Sequence, residues 1–232
     1  MSLLEVERIN SFYGDSHILF DVSLEVAEHE VVALLGRNGA GKTTTLKTLM
    51  GVVAPDSGEI RLAGRPIARR PPHEIARLGI QLVPEERRIF GTLTVEENLA
   101  LAALSADQRL PLGEIYGLFP RLADRRRSSG RQLSGGEQQM LAIARALIRD
   151  ARLILLDEPF EGLAPIIVQD LLRVTEQLAR AGRTIIIVEQ NVAAALSVAH
   201  RVYVLNKGNV AWQGSTEMLR GSPEVMKTYL GV

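Results

Sequence analysis

Five apolar residues at 31–35 run directly into Gly36-Arg37-Asn38-Gly39-Ala40-Gly41-Lys42-Thr43-Thr44, and a helix-like segment follows at 45–50. Strand, glycine loop and helix in that order restrict the fold more than any other stretch. The pattern GxxxxGK followed by Thr builds a phosphate-binding loop in that setting. Glycines let the backbone take dihedrals that turn its N–H groups toward phosphate oxygens. The helix N-terminus adds about half a positive charge at the same place. In such a loop Lys42 reaches the terminal phosphates, and the Thr43 hydroxyl ligates Mg²⁺. Residues 36–44 are therefore expected to cradle a nucleotide.

Other stretches supply what a phosphate loop alone lacks. Leu153-Ile154-Leu155-Leu156 is a continuous apolar run ending in Asp157-Glu158-Pro159. Runs of that kind belong to parallel sheets covered on both faces, and the carboxyl ends of such strands are where α/β sheets bind ligands. Asp157 is placed to hold Mg²⁺, and Glu158 to polarise an attacking water. A second buried strand, 184–188, ends in Glu189-Gln190-Asn191. Leu133-Ser134-Gly135-Gly136 opens a helix whose apolar positions, Met140, Ile143, Ala144, Leu147 and Ile148, keep helical spacing. Its N-terminus is a second potential phosphate-binding end. Tyr13, beside Gly14-Asp15, is either a packing residue or a ring that stacks on a base.

The N-terminal part predicts short strands at 3–10, 22–26 and 31–35, the first alternating as a half-exposed antiparallel strand does. An edge strand is expected at 59–62 and a buried strand at 79–83. Between 85 and 140 no strand pattern occurs. Thr94 with Glu97 forms a capping-box pattern, and Leu99, Leu101 and Leu104 are expected to share an apolar face. Short helices are predicted at 114–119 and 121–127, and the arginines at 121, 125, 126, 127 and 131 face either solvent or a lipid-headgroup or partner surface. The segment 85–140 is expected to be a helical subdomain inserted into a core made of 1–84 and 141–232. Pro165 and Gly182 bracket a further helix, and 201–205 with 209–212 read as a hairpin.

Composition excludes several classes. Lys+Arg and Asp+Glu balance at 27 each, so no net field draws nucleic acid. The chain has no cysteine, which rules out disulfides and thiolate metal sites. The first residues, Met1-Ser2-Leu3-Leu4-Glu5, lack the apolar stretch of a signal peptide. No apolar run approaches bilayer length, so a role at a membrane requires other chains to cross it.

With the phosphate loop, Leu-Ser-Gly-Gly-Glu-Gln-Gln at 133–139 and Leu-Leu-Asp-Glu-Pro at 155–159 in this order, the chain resembles ATP-binding-cassette (ABC) ATPases over essentially its whole length. The resemblance implies an α/β P-loop NTPase core with a mostly parallel sheet, an N-terminal antiparallel β subdomain and an inserted α-helical subdomain. It also implies ATP as substrate, Mg²⁺ as cofactor and a head-to-tail ATPase dimer. In that dimer Ser134, Gly135 and Gly136 would meet the γ-phosphate held by the other subunit, and Tyr13 falls where the family stacks an aromatic on adenine. Three positions depart from the usual pattern. Glu85 stands where a Mg²⁺-sensing glutamine is common, Gln190 where a histidine contacts the γ-phosphate, and Ala164 where an aspartate is common. Val-Pro-Glu-Glu-Arg-Arg-Ile-Phe at 83–90, Gly-Leu-Ala-Pro at 162–165 and Val-Glu-Gln-Asn at 188–191 look like the LivF type, ATPase subunits of bacterial branched-chain amino-acid importers. That likeness implies a second ATPase subunit, two membrane permease subunits, an external solute-binding protein and a place on the cytoplasmic face of the membrane. Importers of urea or other amides, and ABC ATPases outside transport, are the alternatives.

Overall fold

A tight turn at Gly14-Asp15 folds the first strands into a long hairpin of β1 (Ser2–Tyr13) and β2 (Ser16–Ala27). β3 (Val31–Leu35) and α1 (Lys42–Leu49) follow, then β4 (Pro55–Leu62), the two-residue β5 (Arg65–Pro66), α2 (Pro72–Arg77) and β6 (Ile80–Val83). Next come α3 (Val95–Ala103), α4 (Leu112–Leu118), α5 (Pro120–Asp124), α6 (Gly135–Leu147), β7 (Leu153–Asp157), α7 (Pro165–Arg180), β8 (Thr184–Glu189) and α8 (Val192–Val198). β9 (Arg201–Asn206), β10 (Asn209–Ser215), α9 (Thr216–Arg220) and α10 (Pro223–Val225) complete the order. This computed structural model describes residues 2–104 and 109–232. Residues 105–108, inside the 85–140 segment, lie outside the described residues.

The strands form two sheets. The smaller is antiparallel, in the order β2-β1-β4-β5. The larger runs β10-β9-β3-β8-β7-β6, with neighbours from β9 to β6 parallel and β10 antiparallel to β9. Alternation along the central strands explains their unbroken apolar sequence. Val31, Ala33 and Leu35 pack with α3, α6, α7 and α8 residues in one core, whereas Val32 and Leu34 join the other core with α1 and the antiparallel sheet. β7 and β8 divide the same way: Ile154, Leu156, Ile185 and Ile187 face the helical side, and Leu155, Ile186 and Val188 face the antiparallel sheet. A strand covered on both faces has no polar side to show.

Parallel registry places the functional ends side by side. Leu35 pairs with Glu189, and Asp157 with Val188. The chain therefore leaves β3 into the phosphate loop, β8 toward Gln190 and β7 toward Glu158 at one edge of the sheet. β6, paired with β7 up to Val83↔Leu156, delivers Glu85 to the same edge.

Several expectations need correction. β4 is not an edge strand, because β5 pairs along Arg61 and Leu62. β6 is the edge instead, so Gln81 and Leu82 are only partly buried. Leu99 is buried, but Leu101 is 40% and Leu104 77% exposed. Residues two apart on a helix are about 200° apart around its axis, so these three leucines cannot share a face. The arginines in and just after α5 are not merely solvated: Arg121 reaches Asp170 of α7 at 3.0 Å, and Arg125 reaches Glu137 of α6 at 3.5 Å.

Candidate nucleotide site

Space for the phosphate loop is made by glycine. At Gly36 φ is +156°, and an added Cβ would lie 2.5 Å from the Leu205 carbonyl oxygen on β9. Gly41, at φ +103°, is the residue from which α1 departs, and a Cβ there would meet Leu19 at 2.8 Å. The loop is thus wedged between β9 and the first hairpin, and no larger residue fits at either turn.

One cavity of about 490 Å³ opens over this loop. It is lined by Asn38 to Thr44, by Tyr13 and Ile18 from the first hairpin, and by Glu85, Glu158, Glu161 and Gln190. Tyr13 is 46% exposed, a ring left out of the cores beside the loop. Gly36 and Arg37 shape the loop from below, and their carbonyls accept hydrogen bonds from Lys42 Nζ at 3.0 and 3.4 Å. The ammonium also pairs with Glu158 Oε1 at 3.3 Å, both side chains being more than nine-tenths buried. Glu158 Oε2 accepts from Gln190 Nε2 at 2.9 Å. Both carboxylate oxygens of Glu158 are therefore engaged, and its backbone sits at φ +46°.

Asp157, at the end of β7, accepts a hydrogen bond from Thr43 Oγ1 at 3.0 Å. Burial, with the neighbouring acids adding to it, pushes its carboxyl up to about 6 against the pull of that bond. Carboxylate and hydroxyl oxygens this close are the hard donors Mg²⁺ selects, and a bound dication would offset the burial of the charge. Glu158 is held in the opposite direction. Burial works to raise it, but hydrogen bonds from Glu161 and Gln190 and the Lys42 ammonium keep it below the ordinary carboxylate value. Glu161, sharing that bond and facing the Glu158 charge, is pushed up to about 7.

Ser134, Gly135 and Gly136 do not line this cavity. Ser134 caps α6 in a reciprocal box: its Oγ accepts from Glu137 N–H at 3.3 Å, and Glu137 Oε2 accepts from Ser134 N–H at 2.7 Å. Arg87, two residues beyond Glu85, donates through Nε to Gln139 Oε1 at 3.2 Å, and its guanidinium lies against Gly135. A Cβ at Gly136 would lie 2.5 Å from Ile167 of α7. The structure thus gives Gly136 a packing reason as well.

Sequence reasoning did not single out Glu161 or Glu189. Glu161 carries no motif signal. Glu189 had one: an acid directly after Ile185-Ile186-Ile187-Val188, inside a strand buried throughout.

The comparisons with known proteins agree with this geometry. A family model described as ABC transporter matches residues 19–161. The high-affinity branched-chain amino acid transport ATP-binding protein BraG of Pseudomonas aeruginosa is 44% identical over 232 residues, 99% of this chain and 100% of that protein. The lipopolysaccharide export system ATP-binding protein LptB of Haemophilus influenzae is 38% identical over 237 residues, 100% of this chain and 98% of its own. A solved structure described as the ATP-binding subunit of an ABC transporter superposes with a TM-score of 0.83 at 31% identity, covering 99% of this chain and 96% of that one.

Proposed function

Because this chain belongs to the ABC transporter family and is an ATP-hydrolysing cassette of it, we propose that it powers the import of branched-chain amino acids. In this reading ATP lies in the cavity over the phosphate loop, with adenine on Tyr13 and the phosphates on the N–H groups of residues 38–44. Lys42 turns from Glu158 to the γ-phosphate. Thr43 and Asp157 would hold Mg²⁺, with Glu85 nearby, and the ion would supply positive charge against the phosphate oxygens. Glu158, released from Lys42, orients and deprotonates the water, and Gln190 donates its amide to the γ-phosphate region.

The carrying observation is the pairing of a phosphate-loop cavity with the Ser134–Gly136 helix end that lies outside it. Half of each site then comes from a second ATPase subunit, either another copy or a related chain. Two permease subunits cross the membrane, since no helix among the described residues is long and apolar enough to do so. The chain works from the cytoplasmic face, and an external binding protein selects the solute. The helical segment 85–140 with the Glu85 loop is the subdomain that passes the closing motion to the permeases.

The solute assignment rests on the likeness to BraG over the full chain. LptB, nearly as similar, is the specific reason for a second reading, lipopolysaccharide export. The test is a deletion of the gene in its native host, with uptake of radiolabelled leucine, isoleucine and valine measured beside surface lipopolysaccharide. Lost uptake with normal lipopolysaccharide is the expected result; the reverse pattern would replace the importer by the exporter.

A further inference from the structure

β8 ends in a charged residue that does not line the nucleotide cavity. Glu189 is 2% exposed, and its carboxylate accepts three main-chain hydrogen bonds. Oε1 takes the N–H of Phe160 at 3.0 Å; Oε2 takes those of Gln190 at 3.2 Å and Asn191 at 3.3 Å. Phe160 belongs to the turn that presents Glu158, whereas Gln190 and Asn191 belong to the loop that follows β8. The same two segments also meet where Glu158 N–H donates to the Val188 carbonyl at 2.9 Å and where Gln190 Nε2 donates to Glu158 Oε2.

We infer that Glu189 is a positioning residue: it fastens the Gln190 loop to the Glu158–Phe160 turn and so fixes where the Gln190 amide meets Glu158. The inference rests on the roles given above to Glu158 and Gln190. Its physical basis is acceptor capacity. A carboxylate offers two oxygens with lone pairs for all three N–H groups, while an amide offers one oxygen and places an N–H₂ against the others. A shorter side chain leaves the Phe160 N–H, in a buried residue, without its acceptor, and an amide can serve either that N–H or those of Gln190 and Asn191 but not both. Burying a carboxylate in a strand otherwise filled by isoleucine and valine is costly, and three main-chain donors compensate it only while the two segments keep their separation. Because the bonds run to the main chain, they set loop position and not a rotamer. Catalytic groups displaced by about 1 Å lose on the order of a hundredfold in rate, so small slippage is enough to matter.

The test is steady-state ATP hydrolysis at pH 8 by Glu189→Gln, Gln190→Ala and the double variant, with thermal melting of each. Expected for Glu189→Gln is a kcat about tenfold lower with KM for ATP changed less than about twofold. In the Gln190→Ala background the same replacement should cost less than about twofold, since the group it positions is gone. An unchanged kcat for Glu189→Gln beside a slowed Gln190→Ala overturns the positioning role alone. Effects that multiply in the double variant, or a loss confined to KM, also overturn it. Full turnover by Gln190→Ala overturns the catalytic part given to Gln190, and this inference with it. Glu189→Ala is the harsher variant; if it does not fold, the near-isosteric glutamine still decides.

Discussion

Glu158 holds a left-handed backbone angle, which costs a residue with a Cβ on the order of 1–2 kcal/mol. The angle turns the carboxylate from the sheet edge toward Lys42, and the Lys42 and Gln190 bonds hold it there. Glu158→Gln keeps the shape and removes the base of the proposed mechanism. Its turnover should fall at least about a hundredfold while ATP binding persists and the ATP-bound dimer accumulates; steady-state hydrolysis and sedimentation in ATP check both. Legibility at this scale followed chemistry. Gly36, Lys42, Thr43, Asp157 and Glu158 were readable because phosphate and Mg²⁺ demand those residue types at fixed spacing. Glu161 was not, and Glu189 showed only as an acid in an apolar strand, because their work depends on which loops the sheet sets side by side.

The start of α6 performs two tasks with three residues. Ser134 satisfies the free Glu137 N–H of its own helix, and Gly136 lets α7 approach until Ile167 fills the place of a side chain. Gly136→Ala should lower stability by about 1–3 kcal/mol through that clash, and in an Ile167→Ala background the same replacement should cost less; melting temperatures of the single and double variants measure this. At the other end of the helical segment, Thr94→Ala removes the α3 capping box. It should cost about 1 kcal/mol and leave hydrolysis unchanged, as paired melting and ATPase assays would show. Helices were legible in the sequence where apolar spacing and terminal residues agreed, as in α6 and α7, whereas α3 was legible from its capping box and not from its leucines. Strand neighbours were less so: alternation tells which face of a strand is buried and not what pairs with it, which is why β4 and β6 exchanged the edge.

Across the whole molecule, two buried carboxyl groups set how stability responds to pH. Burial raises Asp157 from 3.8 to about 6 and Glu189 from 4.5 to about 7. The folded chain therefore keeps protons that the unfolded chain has released, and stability is lost as pH rises through 6 and 7. The melting temperature without Mg²⁺ or nucleotide should fall between pH 5.5 and 8, with Asp157→Asn and Glu189→Gln each flattening the slope. Glu97, Glu137 and Glu217 are held low and act in the opposite sense only where the pH drops into the ordinary carboxylate range. The proposed division of each site between two subunits makes activity collective. Two inactive variants, Lys42→Ala and Ser134→Arg, should regain measurable hydrolysis when mixed if two copies of this chain pair, because one mixed site then has both native halves. The three strands that carry the site, β3, β7 and β8, alternate between the two cores. In workshop terms they are a piece held in a vice, each core one jaw. Slackening either jaw, even at a methyl group far from the phosphates, lets the cutting edge drift: such a protein stays folded and binds ATP, but machines it out of true.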